Sequence, residues 1–288
     1  RLSTPQALWT ARQTAEALAA LHAAGWLHRD VSPKNILLSP SGHATLIDLG
    51  LAERVNAAQQ QRRSELAGTP THFAPELQLY AARGWLVLYA NPRGSTSYGE
   101  DFANQIHHNY PSQDYDDLMS GVDAVIAKTG VDTTNLYVTG GSGGGVLTAW
   151  IVGHTDRFRA AVVAKPVINW YSFVLTSDFY PFFTDYWFAG LPWEKPEEYL
   201  RRSPISYVGK VTTPTMLITG ENDYRTPISE SEQYYQALKL RRIDTALVRI
   251  PGASHSINAR PSQLLAQVLN TAAWFEKHAA KPAAATTP

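Results

Sequence analysis

One serine stands where chemistry is expected. Residues 135–139 read as a strand. They run into Gly140-Gly141-Ser142-Gly143-Gly144, and a helix follows from about 145. A G-x-S-x-G run at a strand-to-helix turn is a nucleophile elbow, whose tight turn needs small flanking residues and lifts the hydroxyl to a helix N-terminus. A Gly-rich phosphate loop is the competing reading, but no Gly-Lys-Ser/Thr follows, which argues against a Walker loop. Two further residues belong with the serine. Strand 214–219 ends at Gly220-Glu221-Asn222-Asp223, and strand 245–250 ends at Pro251-Gly252-Ala253-Ser254-His255. Carboxylates and imidazoles just past the carboxyl ends of parallel strands share one rim of a sheet. The chain order Ser142, Asp223, His255 suits attack by the serine, proton transfer by the histidine and orientation of the imidazole by the aspartate. The Gly143 N–H is expected to face the oxyanion.

The elements that must position these residues alternate. The apolar run 85–90 reads as a strand closed by Asn91-Pro92-Arg93-Gly94. Helix 114–128, with Leu118, Val122, Val125 and Ile126 on one face, precedes the serine strand. Strand 160–164, an aromatic-rich stretch over 168–193, helix 229–240 and helix 261–279 complete the series. Alternating strands and helices predict a parallel sheet covered on both faces.

The chain has 288 residues with 25 Lys plus Arg, 25 Asp plus Glu and no cysteine. Zero net charge argues against a nucleic-acid binder that works through a basic surface and against a polybasic membrane anchor. The missing cysteines exclude disulfides, thiolate metal sites and a cysteine nucleophile. No apolar run is long enough to span a bilayer and no targeting segment is evident, so the default expectation is a cytoplasmic location.

Residues 77–279 resemble the catalytic domain of the prolyl oligopeptidase family of serine peptidases, nearest its dipeptidyl-peptidase and acylaminoacyl-peptidase branches. The runs that carry the resemblance are Ala82-Arg83-Gly84-Trp85, Asn91-Pro92-Arg93-Gly94-Ser95-Thr96-Ser97-Tyr98-Gly99, the serine elbow, Ser203-Pro204-Ile205-Ser206-Tyr207-Val208 and Gly220-Glu221-Asn222-Asp223-Tyr224-Arg225-Thr226-Pro227. The resemblance implies an α/β-hydrolase fold and hydrolysis of short peptides through an acyl-enzyme, without cofactor or metal. It also implies an apolar substrate pocket drawing on Trp170 and Phe173, for which core or lid packing is an equal reading. One departure stands out. The family's His-Gly-Gly-Pro-like or Tyr-Gly-Gly-like turn, source of the second oxyanion donor, occurs nowhere in residues 1–84. The expected fold is therefore an incomplete α/β-hydrolase, short of the strand that leads to that turn.

Residues 1–76 differ in texture. Leu8, Ala11, Ala15, Leu18 and Leu21 predict a helix over 5–22, and the runs 36–38 and 44–49 about Pro40-Ser41-Gly42 predict a hairpin. A polar loop over 53–70 follows. His28-Arg29-Asp30-Val31-Ser32-Pro33-Lys34-Asn35, then Asp48-Leu49-Gly50, then Gly68-Thr69-Pro70 through Ala74-Pro75-Glu76, resemble the catalytic loop and activation segment of protein kinases. The resemblance implies Asp30 as base, with Asn35 and Asp48 toward Mg²⁺. The Gly-rich loop and strand lysine of a kinase are missing, so this stretch reads as an inactive part of a kinase C-lobe. The whole reads as a chimera: a truncated kinase-like fragment over 1–76, a peptidase domain over 77–279 and a disordered tail over 280–288. A peptide substrate is the expected partner; a kinase fragment or a non-catalytic chimera are the alternatives.

Overall fold

The computed structural model describes residues 3–24, 26–27, 35–39, 41–47, 53–54, 75–95 and 98–280. The chain divides into two compact units, residues 1–85 and residues 86–288.

In the first unit, helix α1 (Thr4–Ala23) is followed by strands β1 (Trp26–Leu27), β2 (Ile36–Leu38), β3 (Ala44–Leu46) and β4 (Glu53–Arg54), then helix α2 (Pro75–Ala81). β2 and β3 pair antiparallel from Ile36–Leu46 to Leu38–Ala44, the hairpin expected from the turn residues. The two Gln13 amide atoms clamp it to α1, with Nε2 donating to the Gly42 carbonyl and Oε1 accepting from the Ala44 N–H, both at 3.1 Å. Thr14 with the half-buried Leu18 and Leu21 marks the inward face of α1. Thr14 is buried while Ala11 and Ala15 are exposed, because alanine is small enough to sit on either face at little cost. Residues 55–74, and so most of the polar loop, lie outside the described residues.

The second unit contains helices α3 (Glu100–Ala103) and α4 (Asp114–Thr129), strand β5 (Tyr137–Gly141), helix α5 (Gly143–Val152) and strand β6 (Ala160–Ala164). Short helices α6 (Trp170–Phe173), α7 (Tyr180–Tyr186) and α8 (Pro196–Arg201) follow. Strand β7 (Thr215–Gly220), helix α9 (Ile228–Leu240), strand β8 (Thr245–Ile250) and helix α10 (Pro261–Lys277) close the unit. The strands form one parallel sheet in the order β5-β6-β7-β8. β6 and β7 are buried along their whole length and lie in the middle; β5 and β8 are only half-buried and form the edges. Side chains alternate across the sheet. Ala161, Val163 and Leu217 therefore meet Ala149 and Val152 of α5 and Tyr234 and Leu238 of α9 on one face. Tyr137, opposite Ala160, faces the other way and stacks on Phe275 of α10 at 4.7 Å. Helices on both faces of a buried parallel sheet are what the alternating sequence predicted.

The expected strand over 85–90 does not form. Residues 85–90 carry no strand, and Leu86, Leu88 and Tyr89 are exposed. A strand needs a neighbour to satisfy its N–H and C=O groups, and among the described residues the sheet ends at β5. The same opening leaves Leu118, Val122, Val125 and Ile126 of α4 half-buried. Asp117 on that helix still anchors the 86–95 segment, through a two-pronged ion pair with Arg93 at 2.6 and 2.8 Å.

Candidate active site

Ser142 sits between the end of β5 and the start of α5 with φ 59° and ψ −117°. A serine adopts this left-handed, strained backbone only when its surroundings enforce it. The enforcement is visible. The Ser142 N–H donates to the Ala164 carbonyl at 3.1 Å, while its own carbonyl accepts from Val146 at 3.0 Å. At Gly140 a Cβ would lie 2.4 Å from the Gly144 carbonyl oxygen, so the strand can turn back on the helix only because that residue is glycine.

The three residues predicted from chain order come together. Ser142 Oγ is 3.0 Å from His255 Nε2, and His255 Nδ1 is 2.8 Å from Asp223 Oδ2. Because a carboxylate can only accept, Nδ1 carries the proton and Nε2 presents its lone pair to the serine hydroxyl. The Asp223 side chain is 0% exposed. Its charge is met by the N–H groups of Arg225 and Thr226, which donate to Oδ1 at 3.0 and 2.8 Å, and by the Thr226 hydroxyl, which donates to Oδ2 at 3.0 Å. The carboxylate is thus buried but fully satisfied, as a buried charge must be. An imidazole so oriented can take a proton from Ser142 and later release it. Gly143 is the first residue of α5, where helix N–H groups have no partner within the helix.

Two residues that touch this arrangement, Thr226 and Lys165, and a buried carboxylate near it in the chain, Glu230, were not singled out from the sequence. Thr226 lies inside a run singled out for Asp223, so its role was within reach. Lys165 Nζ donates to the His255 carbonyl at 2.7 Å, from a residue with φ 40° at the end of β6. Glu230, fully buried in α9, accepts from the N–H groups of Ile168 and Asn169, each at 2.8 Å, and from the Ser172 hydroxyl at 2.9 Å. Burial pushes its carboxyl above the usual carboxylate range, against the pull of those hydrogen bonds. Neither residue belongs to a local pattern; both act across the sheet.

Trp170 and Phe173 are each 0% exposed. They are central rings of an aromatic cluster with Tyr110, Phe183, Phe188 and Tyr199, so they present no face to a substrate. Their rings meet edge-on at 5.4 Å, the geometry that aromatic quadrupoles favour. Of the two readings offered for these rings, pocket wall or core, their burial agrees with core packing.

Of the kinase-like residues, Asp30 and Asp48 lie outside the described residues. Asn35 is buried at the start of the hairpin, where its carbonyl accepts from the Ile47 N–H at 2.8 Å. No group of three or more metal-ligating side chains occurs among the described residues.

Comparison with known proteins bears on both halves. The model of the prolyl oligopeptidase family matches residues 71–282. The model of the protein kinase domain matches residues 2–84. An uncharacterized peptidase of Bacillus subtilis, YuxL, is 43% identical over 206 residues, covering 70% of this chain and 31% of its own length. The acylamino-acid-releasing enzyme of Arabidopsis thaliana is 34% identical over 218 residues, covering 73% of this chain and 28% of its own. Among solved structures, the acylaminoacyl peptidase of Pyrococcus horikoshii superposes with a TM-score of 0.69 at 27% identity, covering 74% of this chain and 35% of that one. The chain therefore spans about a third of the length of these relatives.

Proposed function

We propose that this chain, which belongs to the prolyl oligopeptidase family, hydrolyses acylated or short peptides at Ser142 through an acyl-enzyme. Its α/β-hydrolase unit carries the chemistry, and the kinase-like stretch before about residue 76 carries none. The observation that supports this is the unbroken relay from Ser142 through His255 to the buried Asp223, at 3.0 and 2.8 Å.

In the first step Ser142 Oγ attacks the substrate carbonyl carbon while His255 Nε2 takes its proton. The charge on the carbonyl oxygen develops at the N-terminus of α5, against the Gly143 N–H. His255 then protonates the leaving amine, and the acyl-enzyme forms. Water repeats the sequence and frees the acid, returning Ser142 to its hydroxyl form. The Asp223 carboxylate holds the imidazolium in place. The names of the relatives favour release of an N-acylated amino acid over cleavage of long chains.

A fluorophosphonate probe tests the reading. The wild-type chain is expected to be labelled at Ser142 and Ser142→Ala not at all. Absence of labelling in the wild type, or equal labelling of both, overturns it. Rates on acylaminoacyl anilides against p-nitrophenyl esters then separate a peptidase from an esterase.

A further inference from the structure

The helix that carries the nucleophile opens on three glycines, Gly143, Gly144 and Gly145. Glycine is the residue least inclined to hold a helical backbone apart from proline, because it gives up the most conformational freedom. An oxyanion donor, in contrast, is useful only when it is already aimed before charge develops. The first turn of α5 therefore needs a restraint from outside the helix, and the structure contains one.

Tyr110, 5% exposed, directs its hydroxyl at this turn and donates to the Gly143 carbonyl at 2.7 Å. The oxygen stands on the side of Gly143 where a side chain would lie, 3.4 Å from the position a Cβ would take. The ring itself is held. It packs at 4.7 Å from the ring of Trp187 and meets Trp170 edge-on at 6.3 Å. Its backbone is held as well: the Tyr110 carbonyl accepts from Arg202 Nε at 2.7 Å. Arg202 is fully buried, lies over the ring of Phe188 at 4.2 Å, and bonds through Nη1 to the Trp187 carbonyl and to Glu198 Oε1. A buried guanidinium, a buried phenol and the carbonyl of the first helical residue thus form one continuous chain. The phenol stays a donor throughout the neutral range, since burial and the charge of Asp114 push it well above its ordinary value.

We propose that Tyr110 is a positioning residue for hydrolysis, its hydroxyl fixing the Gly143 backbone so that the Gly143 N–H is aimed at the developing oxyanion. Arg202 holds Tyr110 in place to do so. This rests on the hydrolase reading above. It differs from core packing in a specific way: the ring serves the core, whereas the hydroxyl serves the transition state.

Tyr110→Phe separates the two, because it keeps the ring and removes only the hydroxyl. The loss of one neutral hydrogen bond sets the expected scale at roughly tenfold. Phosphonylation of Ser142 and kcat should fall by that factor while KM and Tm stay near wild type. Gly143→Ala in the Tyr110→Phe background should recover most of the loss, since a Cβ narrows the backbone freedom the hydroxyl had restrained. Wild-type labelling rate in Tyr110→Phe overturns the proposal, as does a change confined to KM, or a loss that follows Tm and is not rescued. Amide hydrogen exchange over residues 143–146 gives a readout independent of turnover. Faster exchange in Tyr110→Phe supports the restraint, and unchanged exchange overturns it, even for a wild-type chain that reacts with no probe. That last result in the wild type would count against the hydrolase reading alone.

Discussion

Lys165 at the end of β6 donates its ammonium hydrogen to the carbonyl of His255 at 2.7 Å, tying the loop that follows one central strand to the loop that carries His255. The imidazole is thus held at both ends, by Asp223 through its ring and by Lys165 through its backbone. Lys165→Met keeps the aliphatic stem and removes the charge-assisted hydrogen bond, a contact worth about 1.5–3 kcal/mol. The expected result is a kcat lowered by about tenfold or more with KM little changed, read from steady-state kinetics beside a melting curve that shows the fold retained.

In the proposed mechanism Asp223 has a larger role, because its side chain is buried beside an imidazole that would become positive. Asp223→Asn keeps the shape but lets the histidine adopt the wrong tautomer, which costs about 10⁴-fold in kcat in comparable triads. Single-turnover acylation should show this loss. A decrease below tenfold would mean that Asp223 does not orient the base.

Gly220, at the end of β7, tests how tightly the rim is assembled. A Cβ there would sit 2.3 Å from the Ala253 carbonyl oxygen, two residues before His255. Backbone cannot yield as a side-chain tip can. Gly220→Ala is expected to cost about 1–3 kcal/mol of stability and to weaken labelling of Ser142, as thermal melts and probe labelling would show together.

Glu230 predicts a pH dependence. Its folded-state carboxyl is raised above the unfolded value, with burial the dominant cause. A raised acid stabilises the fold fully below the unfolded carboxyl value, and that contribution is lost as pH rises through the folded one. Stability of the wild type should therefore fall across this window relative to Glu230→Gln, which does not titrate. Melting temperatures of the two proteins at a series of pH values from about 4 upward check the sign; parallel curves would contradict it.

The opened side of the sheet should be visible in exchange. Residues 86–90 lack ladder partners among the described residues, whereas β6 and β7 are paired on both sides. Amides of 86–90 are expected to exchange near the rate of an open chain while those of 160–164 and 215–220 stay protected up to global unfolding. Protection of 86–90 equal to that of β6 would show that a strand forms there.

The hydrogen-bonded arrangement of Ser142, His255 and Asp223 was legible in the sequence because each member is announced locally. Gly140 through Gly144 declare a tight turn, and Asp223 and His255 each follow an apolar run that ends at a glycine-containing turn. Chain order alone then placed all three on one rim, since parallel strands bring their carboxyl ends together. The alternation of strands and helices over 114–277 was equally legible from spacing and composition. The strand over 85–90 was misread for an instructive reason: its apolar residues are those of a strand, but strand formation depends on a neighbour, and a neighbour is not a local property.

What the tertiary structure alone decided are relations between residues far apart in the chain. Trp170 and Phe173 read equally well as pocket or core, and only packing against Phe183, Phe188 and Tyr199 made them core. Tyr110, Lys165 and Glu230 carry no motif at all. Each acts on groups 33 to 90 residues distant, through directional hydrogen bonds whose geometry depends on every element between. Residue type and spacing encode which chemistry is available, because turns and amphipathic periods are short-range. Which side chains aim that chemistry is settled only when the sheet closes and distant carbonyls and donors come within 3 Å of each other.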